Sequence, residues 1–398
     1  MMLSTTACCF LSYRFNAPAF GFSILLPISA AWLLTKDFEK RNERIISNVI
    51  SIIFLAIGLG AYQPSFGCFF VIVIFMFMQF LVNGDEKKGY SLFCRCFLSA
   101  CSACIIYKII WDIVLKFRGI SAADYNGANS ISVIKILMNI PVGIIRAYYA
   151  WFEYFLLYNG NYVFKIARIT LYFFLIAIVI IVGVRKLVKK PKILFLYLLA
   201  YACVPVGANI AFILAPGNYG LMWQMTGALS IITTVKLCFL DNHVSYSKVI
   251  TVISAIFLYG NILAVGTDID AMVQGNNSMR TVMSNVVTSM IKEDVFNTEF
   301  QYAFIGDISG NELFSKNSLW DSASDYAKAG KLWVKPDCMI NSYIGLLDDM
   351  GLNLNIVDIA TYEEILRDDH FANMPVYPQN GSIIERNGVV VVKVSNNY

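Results

Sequence analysis

The stretch IARITLYFFLIAIVIIVGVRKLVKKPK, residues 166–192, decides how the whole chain is read. Between residues 166 and 184 its one charge is Arg168, and about 20 such residues, rising roughly 1.5 Å each, cross the hydrocarbon of a bilayer as a helix. The run then ends in five cations, Arg185, Lys186, Lys189, Lys190 and Lys192. Short cytoplasmic loops are enriched in Lys and Arg, so this end of the span reads as cytoplasmic.

Working outward, comparable apolar runs lie near residues 18–35, 46–62, 66–83, 92–117, 193–214, 222–240 and 249–265, making eight spans with the one at 166–184. Overall 58% of residues are hydrophobic and 15% charged, against about a quarter charged in a soluble domain. Lys36, Lys40, Arg41 and Arg44 follow the first span, and Lys87, Lys88 and Arg95 follow the third; both loops read as cytoplasmic. The turns at 62–65 and 215–219 carry no Lys or Arg, and the loop at 118–131 has only Arg118, so these face outward. The segment 132–160 is apolar but holds Lys135, Pro141, Arg146 and Glu153. Counting it as a span would put the five-cation loop outside, so it reads as an interfacial or re-entrant amphipathic helix on the outer face.

The apolar runs stop at residue 265 and the charge inverts. Residues 1–265 hold 22 basic and 9 acidic side chains, whereas 266–398 hold 9 basic and 18 acidic. The expected organisation is a transmembrane helical domain, 1–265, followed by an extracytoplasmic (periplasmic) α/β domain, 266–398. The basic residues sit in short loops between apolar runs, which argues against nucleic acid as a partner. In the tail, 268–292 reads as helix, 301–307 as strand, 339–350 as helix and 354–357 as strand. The last two strands, 381–385 and 389–394, flank Arg386-Asn387-Gly388, a hairpin turn. The acidic pairs Asp348/Asp349, Glu363/Glu364 and Asp368/Asp369 read as solvated surface. No signal peptide is visible at 1–13, so the first span is expected to direct insertion.

Nine of the ten cysteines fall before residue 265, and Cys338 is alone in the tail, so no disulfide framework is expected there. Cys94, Cys96, Cys101 and Cys104 have apolar flanks in a chain with two histidines; they read as small helix-packing residues and no metal or other cofactor is expected. No phosphate-binding loop or dinucleotide fingerprint is present.

Chemistry is expected at the outer span ends. Tyr62 and Gln63 occupy a helix break between two spans, where a buried amide needs a partner. Tyr13 and Arg14 precede the first span, and a guanidinium there suits a phosphate. Asp124, in the 118–131 loop, is the one carboxylate there able to serve as a base toward a sugar hydroxyl. The belt around Arg146, Trp151 and Glu153 suits stacking against sugar rings, although interfacial aromatics serve the same sequence pattern. Asn218 and Tyr219 lie in the outward turn at 215–219 and complete the substrate-binding candidates. Asp112 is the only acid well inside a span and stands four residues from both Lys108 and Lys116, close enough to neutralise itself.

The segment LSYRFN (11–16) leading into a span, the Tyr62-Gln63 break, and the closing MPVYP (374–378) and GVVVVK (388–393) resemble the Gtr-type, serotype-converting O-antigen glucosyltransferases of bacterial inner membranes. The resemblance runs from about residue 10 to the C-terminus. It implies a lipid-dependent, multi-spanning, GT-C-like glycosyltransferase. Such an enzyme takes a hexosyl group from a polyprenyl-phosphate donor and passes it to a lipid-linked glycan, such as the O-antigen of lipopolysaccharide, on the periplasmic face. It also implies that Tyr13, Arg14, Tyr62 and Gln63 hold the lipid phosphate or line the active site. Members usually have further spans ahead of the Ser-Tyr-Arg-Phe position, with the catalytic carboxylate in an acidic loop after the first. This chain starts almost at that position, so the family's principal carboxylate is expected to be missing and Asp124 is a substitute. Two rival readings are a lipid-linked glycan transporter, which internal repeats would favour, and a non-catalytic accessory membrane protein.

Overall fold

A computed structural model describes residues 5–12, 16–36, 38, 40–121, 133–157, 165–214, 222–243 and 247–398. The chain divides into two compact units, Met1–Ala264 and Val265–Tyr398.

The first unit is helical. Its elements are α1 (Thr5–Ser12), α2 (Ala17–Thr35), α3 (Arg41–Ala61), α4 (Gly67–Asn83), α5 (Glu86–Arg118), α6 (Val133–Phe152), α7 (Lys165–Leu187), α8 (Pro191–Ala202), α9 (Val204–Ala208), α10 (Ala211–Leu214), α11 (Gly227–Asp241) and the start of α12 (Ser247–Lys292). Among the described residues eight helical stretches are long and apolar enough to cross a membrane, and they coincide with the eight apolar runs. The run at 193–214 is not one rod. It breaks into α8, α9 and α10, with Pro205 inside α9, where its missing N–H suits a first turn.

Burial orders the bundle. The stretch Gln63–Asn83 has 67% of its apolar window buried and Glu86–Arg118 only 17%, so α4 is the central helix and α5 lies outside. Around α4 pack α2, α5, α8, α9 and α11. Apolar side chains alone do not set the register of helices in lipid; small residues and hydroxyls do. Ser23 donates to the Ser65 hydroxyl (2.9 Å), Ser47 to the Leu33 carbonyl (2.9 Å) and Tyr197 to the Val179 carbonyl (2.7 Å). Within the segment read as interfacial, Val133–Phe152 form α6 and Glu153–Leu157 a π-helical turn. Two asparagines bind α6 to its neighbours: Asn139 donates to the carbonyls of Phe212 (2.9 Å) and Ile213 (3.1 Å), and Asn209 to that of Ala147 (3.1 Å).

The second unit is built on the C-terminal part of α12, with β1 (Gln301–Ile305), α13 (Ser318–Ser322), α14 (Pro336–Asp349), β2 (Asn355–Ile356), α15 (Ile359–Arg367), α16 (Asp369–Ala372), β3 (Ile383–Arg386) and β4 (Val389–Lys393). The sheet order is β2-β1-β4-β3, with β1 parallel to β2 and β4 and the β3–β4 hairpin antiparallel. Its turn takes positive φ at Asn387 (55°) and Gly388 (81°), as Asn-Gly allows. Two expectations change. The helix expected from 268 continues without a break from Ser247, because Gly266, Thr267 and Asp268 include no proline. The expected strand at 354–357 shrinks to two residues, and α13, α15 and α16 are short helices nucleated by side-chain caps of Asn317, Asp358 and Asp368.

Asp268 ties the start of this unit together. It is fully buried and accepts hydrogen bonds from the Ser324 N–H (3.0 Å), the Ser324 hydroxyl (2.8 Å) and the Tyr326 hydroxyl. Asp268→Ala strands these buried donors, at about 1–3 kcal/mol for each group left unsatisfied. The variant is expected to lose roughly 3 kcal/mol or more in the second unit. Amide hydrogen exchange over residues 318–330 checks this; unchanged protection would show the cluster to be dispensable.

Candidate active site

The sequence-predicted residues that are described fall in two places. The first is one end of the helical unit. Here the turn Gln63–Phe66 touches α10, the turn Trp223–Thr226 and the start of α11. Tyr62 caps α3, half-buried, with its ring edge-on to Phe20 (4.8 Å). Thr6 and Thr226 share a 2.6 Å hydrogen bond, and the Tyr154 ring lies 6.2 Å from Trp223. Gln63 is exposed, and its amide donates to the Tyr107 hydroxyl (2.6 Å), so its polar demand is met by α5. Tyr13, Arg14, Asp124, Asn218 and Tyr219 lie outside the described residues.

The second place is α6 and the turn after it. Arg146 is half-buried on α6. Glu153 opens the π-helical turn, a geometry that recurs at functional sites. Its Oε2 is buried without a hydrogen-bond partner among the described residues. Such an oxygen is costly unless a proton, a water or a substrate hydroxyl meets it. Trp151 packs against Tyr172 (5.6 Å between rings), which in turn stacks on Phe155 at 3.9 Å.

Trp151 also opens onto the feature that the sequence reading passed over. A cavity of about 140 Å³ is lined by Tyr148, Trp151, Ile176, Tyr201, Ala202, Val204, Pro205 and Lys236. Five helices build it: α6 supplies Tyr148 and Trp151, α7 Ile176, α8 Tyr201 and Ala202, α9 Val204 and Pro205, and α11 Lys236. The Tyr148 hydroxyl donates to the Ala202 carbonyl at 2.5 Å and ties α6 to α8 at the cavity wall. Lys236 is 1% exposed, with Nζ 4.0 Å from the centre of the Tyr172 ring and 5.6 Å from that of Tyr201. No carboxylate among the described residues pairs with it.

Magnitudes weigh the bland reading of Lys236 against the functional one. A cation over a desolvated aromatic ring gains about 2 kcal/mol, whereas taking an ammonium out of water costs several kcal/mol per ion. Two tyrosine faces do not close that gap; the amine closes it by shedding its proton or by meeting an anion in the cavity, and ionisable groups inside spans mark functional paths by default. The signal was present in the sequence as a lone Lys within the apolar run 222–240. Asp112, the ionisable group that the sequence brought forward instead, is exposed and bonded to Lys108 at 2.8 Å, as its spacing predicts. Among the described residues no three His, Cys, Asp or Glu side chains gather as a metal site.

No curated protein and no solved structure matches the chain significantly. A family profile does, over residues 1–240 of 398, the part that carries both the Gln63–Phe66 turn and the Lys236 cavity. The chain belongs to the family described as glucosyl transferase GtrII.

Proposed function

We propose that this glucosyltransferase-family chain is a GT-C-like enzyme of the bacterial inner membrane. In this reading it moves a glucosyl group from a polyprenyl-phosphate donor to O-antigen or another lipid-linked surface glycan on the periplasmic face. The spans form its membrane domain and residues 266–398 a periplasmic domain. The observation that carries the reading is Lys236: a buried amine with no carboxylate partner among the described residues, set among aromatic rings inside an apolar helical stretch long enough to span a bilayer. A donor attached to a lipid brings a phosphate to such a place and needs no nucleotide-binding loop.

The reaction breaks the bond from the sugar C1 to the phosphate oxygen and forms one from C1 to the acceptor oxygen. The acceptor proton passes to a base, and polyprenyl phosphate leaves with one more negative charge than it had in the donor. Lys236 offsets that growing charge, and stabilisation concentrated in the transition state is what accelerates transfer. Trp151, Tyr148 and Tyr201 supply the apolar wall around the phosphate. Arg14, Arg146, Tyr13, Tyr62, Gln63, Asn218 and Tyr219 are proposed to guide donor and acceptor. For the base, Asp124 is the candidate from its loop and Glu153 from its unpartnered oxygen.

The test is transfer of labelled glucose from polyprenyl-phosphate donor to lipid-linked glycan in membranes carrying this chain. Transfer is expected, with Asp124→Asn or Glu153→Gln lowering it by about 100-fold or more, the range for a general base. No transfer from the intact chain, with glycan still bound, would sink the enzyme reading in favour of an accessory role.

A further inference from the structure

The acidic second unit concentrates its positive charge in one segment. Of its nine basic residues four, Lys316, Lys328, Lys331 and Lys335, fall within residues 316–335, where Asp321 and Asp325 are the only acids. The same segment exposes large apolar side chains that its own core leaves uncovered. Trp333 is 63% and Val334 56% exposed, between Lys331 and Lys335, both also exposed. Leu313, just before the segment, and Leu319, within it, are exposed as well. A tryptophan bracketed by lysines is the composition favoured at a membrane–water interface: the indole sits among headgroups while the lysines reach phosphates.

Packing inside the unit puts this segment at the right end of α12. The apolar run ends at residue 265. Asp268, three residues on, holds Ser324 and Tyr326. Two turns further, a Cβ on Gly275 would lie 2.2 Å from the Ala329 carbonyl oxygen, so only glycine lets the segment lie against the helix there. Ser278 then donates to the Ser315 carbonyl (2.9 Å). The far end of α12 meets different partners, with Ser289 bonded to the Tyr377 hydroxyl (3.0 Å). From 268 to 289 the helix rises roughly 30 Å. The lysine-rich segment is therefore pinned beside the first turns after the apolar run, and the Tyr377 region lies far from it.

We infer that the segment 316–335 is an interfacial anchor that seats Trp333 and Val334 among bilayer headgroups, with Lys331 and Lys335 on anionic lipid phosphates. The occupant is a lipid surface: the chain's own apolar helices hold a bilayer near the end of the run at 265, and the local charge is opposite to that of the acidic unit around it. Basic residues beside a bilayer are drawn to anionic headgroups, an attraction that fades over about a Debye length. The inference stands apart from the catalytic reading, because it concerns seating of the second unit and needs no transfer activity.

The test uses the full chain in nanodiscs, with and without phosphatidylglycerol, made with lipids brominated near the headgroup. Subtracting the emission of Trp333→Phe from that of the unaltered chain isolates Trp333. Its emission is expected to be blue-shifted and quenched by the brominated lipid. Omitting phosphatidylglycerol, or combining Lys331→Gln with Lys335→Gln, is expected to reduce that quenching by about twofold or more. A Trp333 component with the emission of water-exposed indole, unquenched in both discs, would overturn the proposal. So would a component that responds to added soluble glycan and not to brominated lipid, since the surface would then be a glycan subsite.

Discussion

Lys236→Met is expected to lower glucosyl transfer by about 100-fold while leaving the folded protein at least as stable, a loss of roughly 2.7 kcal/mol of transition-state stabilisation. Methionine nearly matches the length of the lysine stem and carries no charge, so the cavity keeps its shape. The fold itself is not expected to lose from the change, because a buried lysine amine facing two tyrosine rings costs desolvation that methionine does not. The charge on the departing phosphate rises as the C1–O bond breaks, so the loss is expected mainly in kcat, with KM for the donor rising less. A Lys236 that served only to bind Tyr172 and Tyr201 would show the opposite: lower thermal stability and transfer lost in proportion to folded protein. Unchanged transfer and unchanged stability would remove Lys236 from the site altogether. Arginine in its place is not expected to restore activity fully, since its planar fork needs more room than a compact ammonium.

The second large effect is structural. Gly67, at the first turn of α4, has no room for even one more carbon: a Cβ there would lie 2.1 Å from the Ala208 carbonyl oxygen and 2.9 Å from the Ala228 Cβ. The nearest obstacle is backbone, which has no rotamer to change, and it belongs to α9, held in turn by Asn209 to Ala147 on α6. Gly67→Ala is therefore expected to force α4 and α9 apart and to cost about 3 kcal/mol, the upper range for overpacking a well-filled core. Because α6 and α9 line the Lys236 cavity, transfer should fall with it. Melting followed by size-exclusion in detergent reads the effect, and a Tm within a degree or two of the unaltered chain would show that the bundle yields there. By contrast, Gly21→Ala at an open position on α2, where a Cβ meets nothing within 4 Å, is the control expected to be silent.

What was legible in the sequence rests on signals that repeat along the chain. Among the described residues the eight apolar runs correspond to eight span-length helical stretches, the one from Pro191 broken after Ala202, because a long helical run satisfies its backbone internally, whatever it packs against. The hairpin at Asn387-Gly388 was legible because positive φ is a property of two residues. The short family motifs pointed to the glucosyltransferases, and the GtrII profile agrees. Less legible was anything that turns on which face of a helix meets which neighbour. Gln63 read as an amide short of a partner, yet Tyr107, 44 residues on, meets it.

Composition and period alone carried the number of span-length apolar runs and the change to an acidic α/β tail after residue 265, and short motifs carried the resemblance to the family. Such local features need no partner to be read. It took the packed fold to show that Trp151, Tyr201 and Lys236 line one cavity with the Tyr172 ring against the Lys236 amine, and that Asp268 holds Ser324 and Tyr326. Hydropathy tells how deep a residue sits but not which way it faces. That is set by where small side chains such as Gly67 and Gly275 let backbones approach, a property of pairs far apart in the chain.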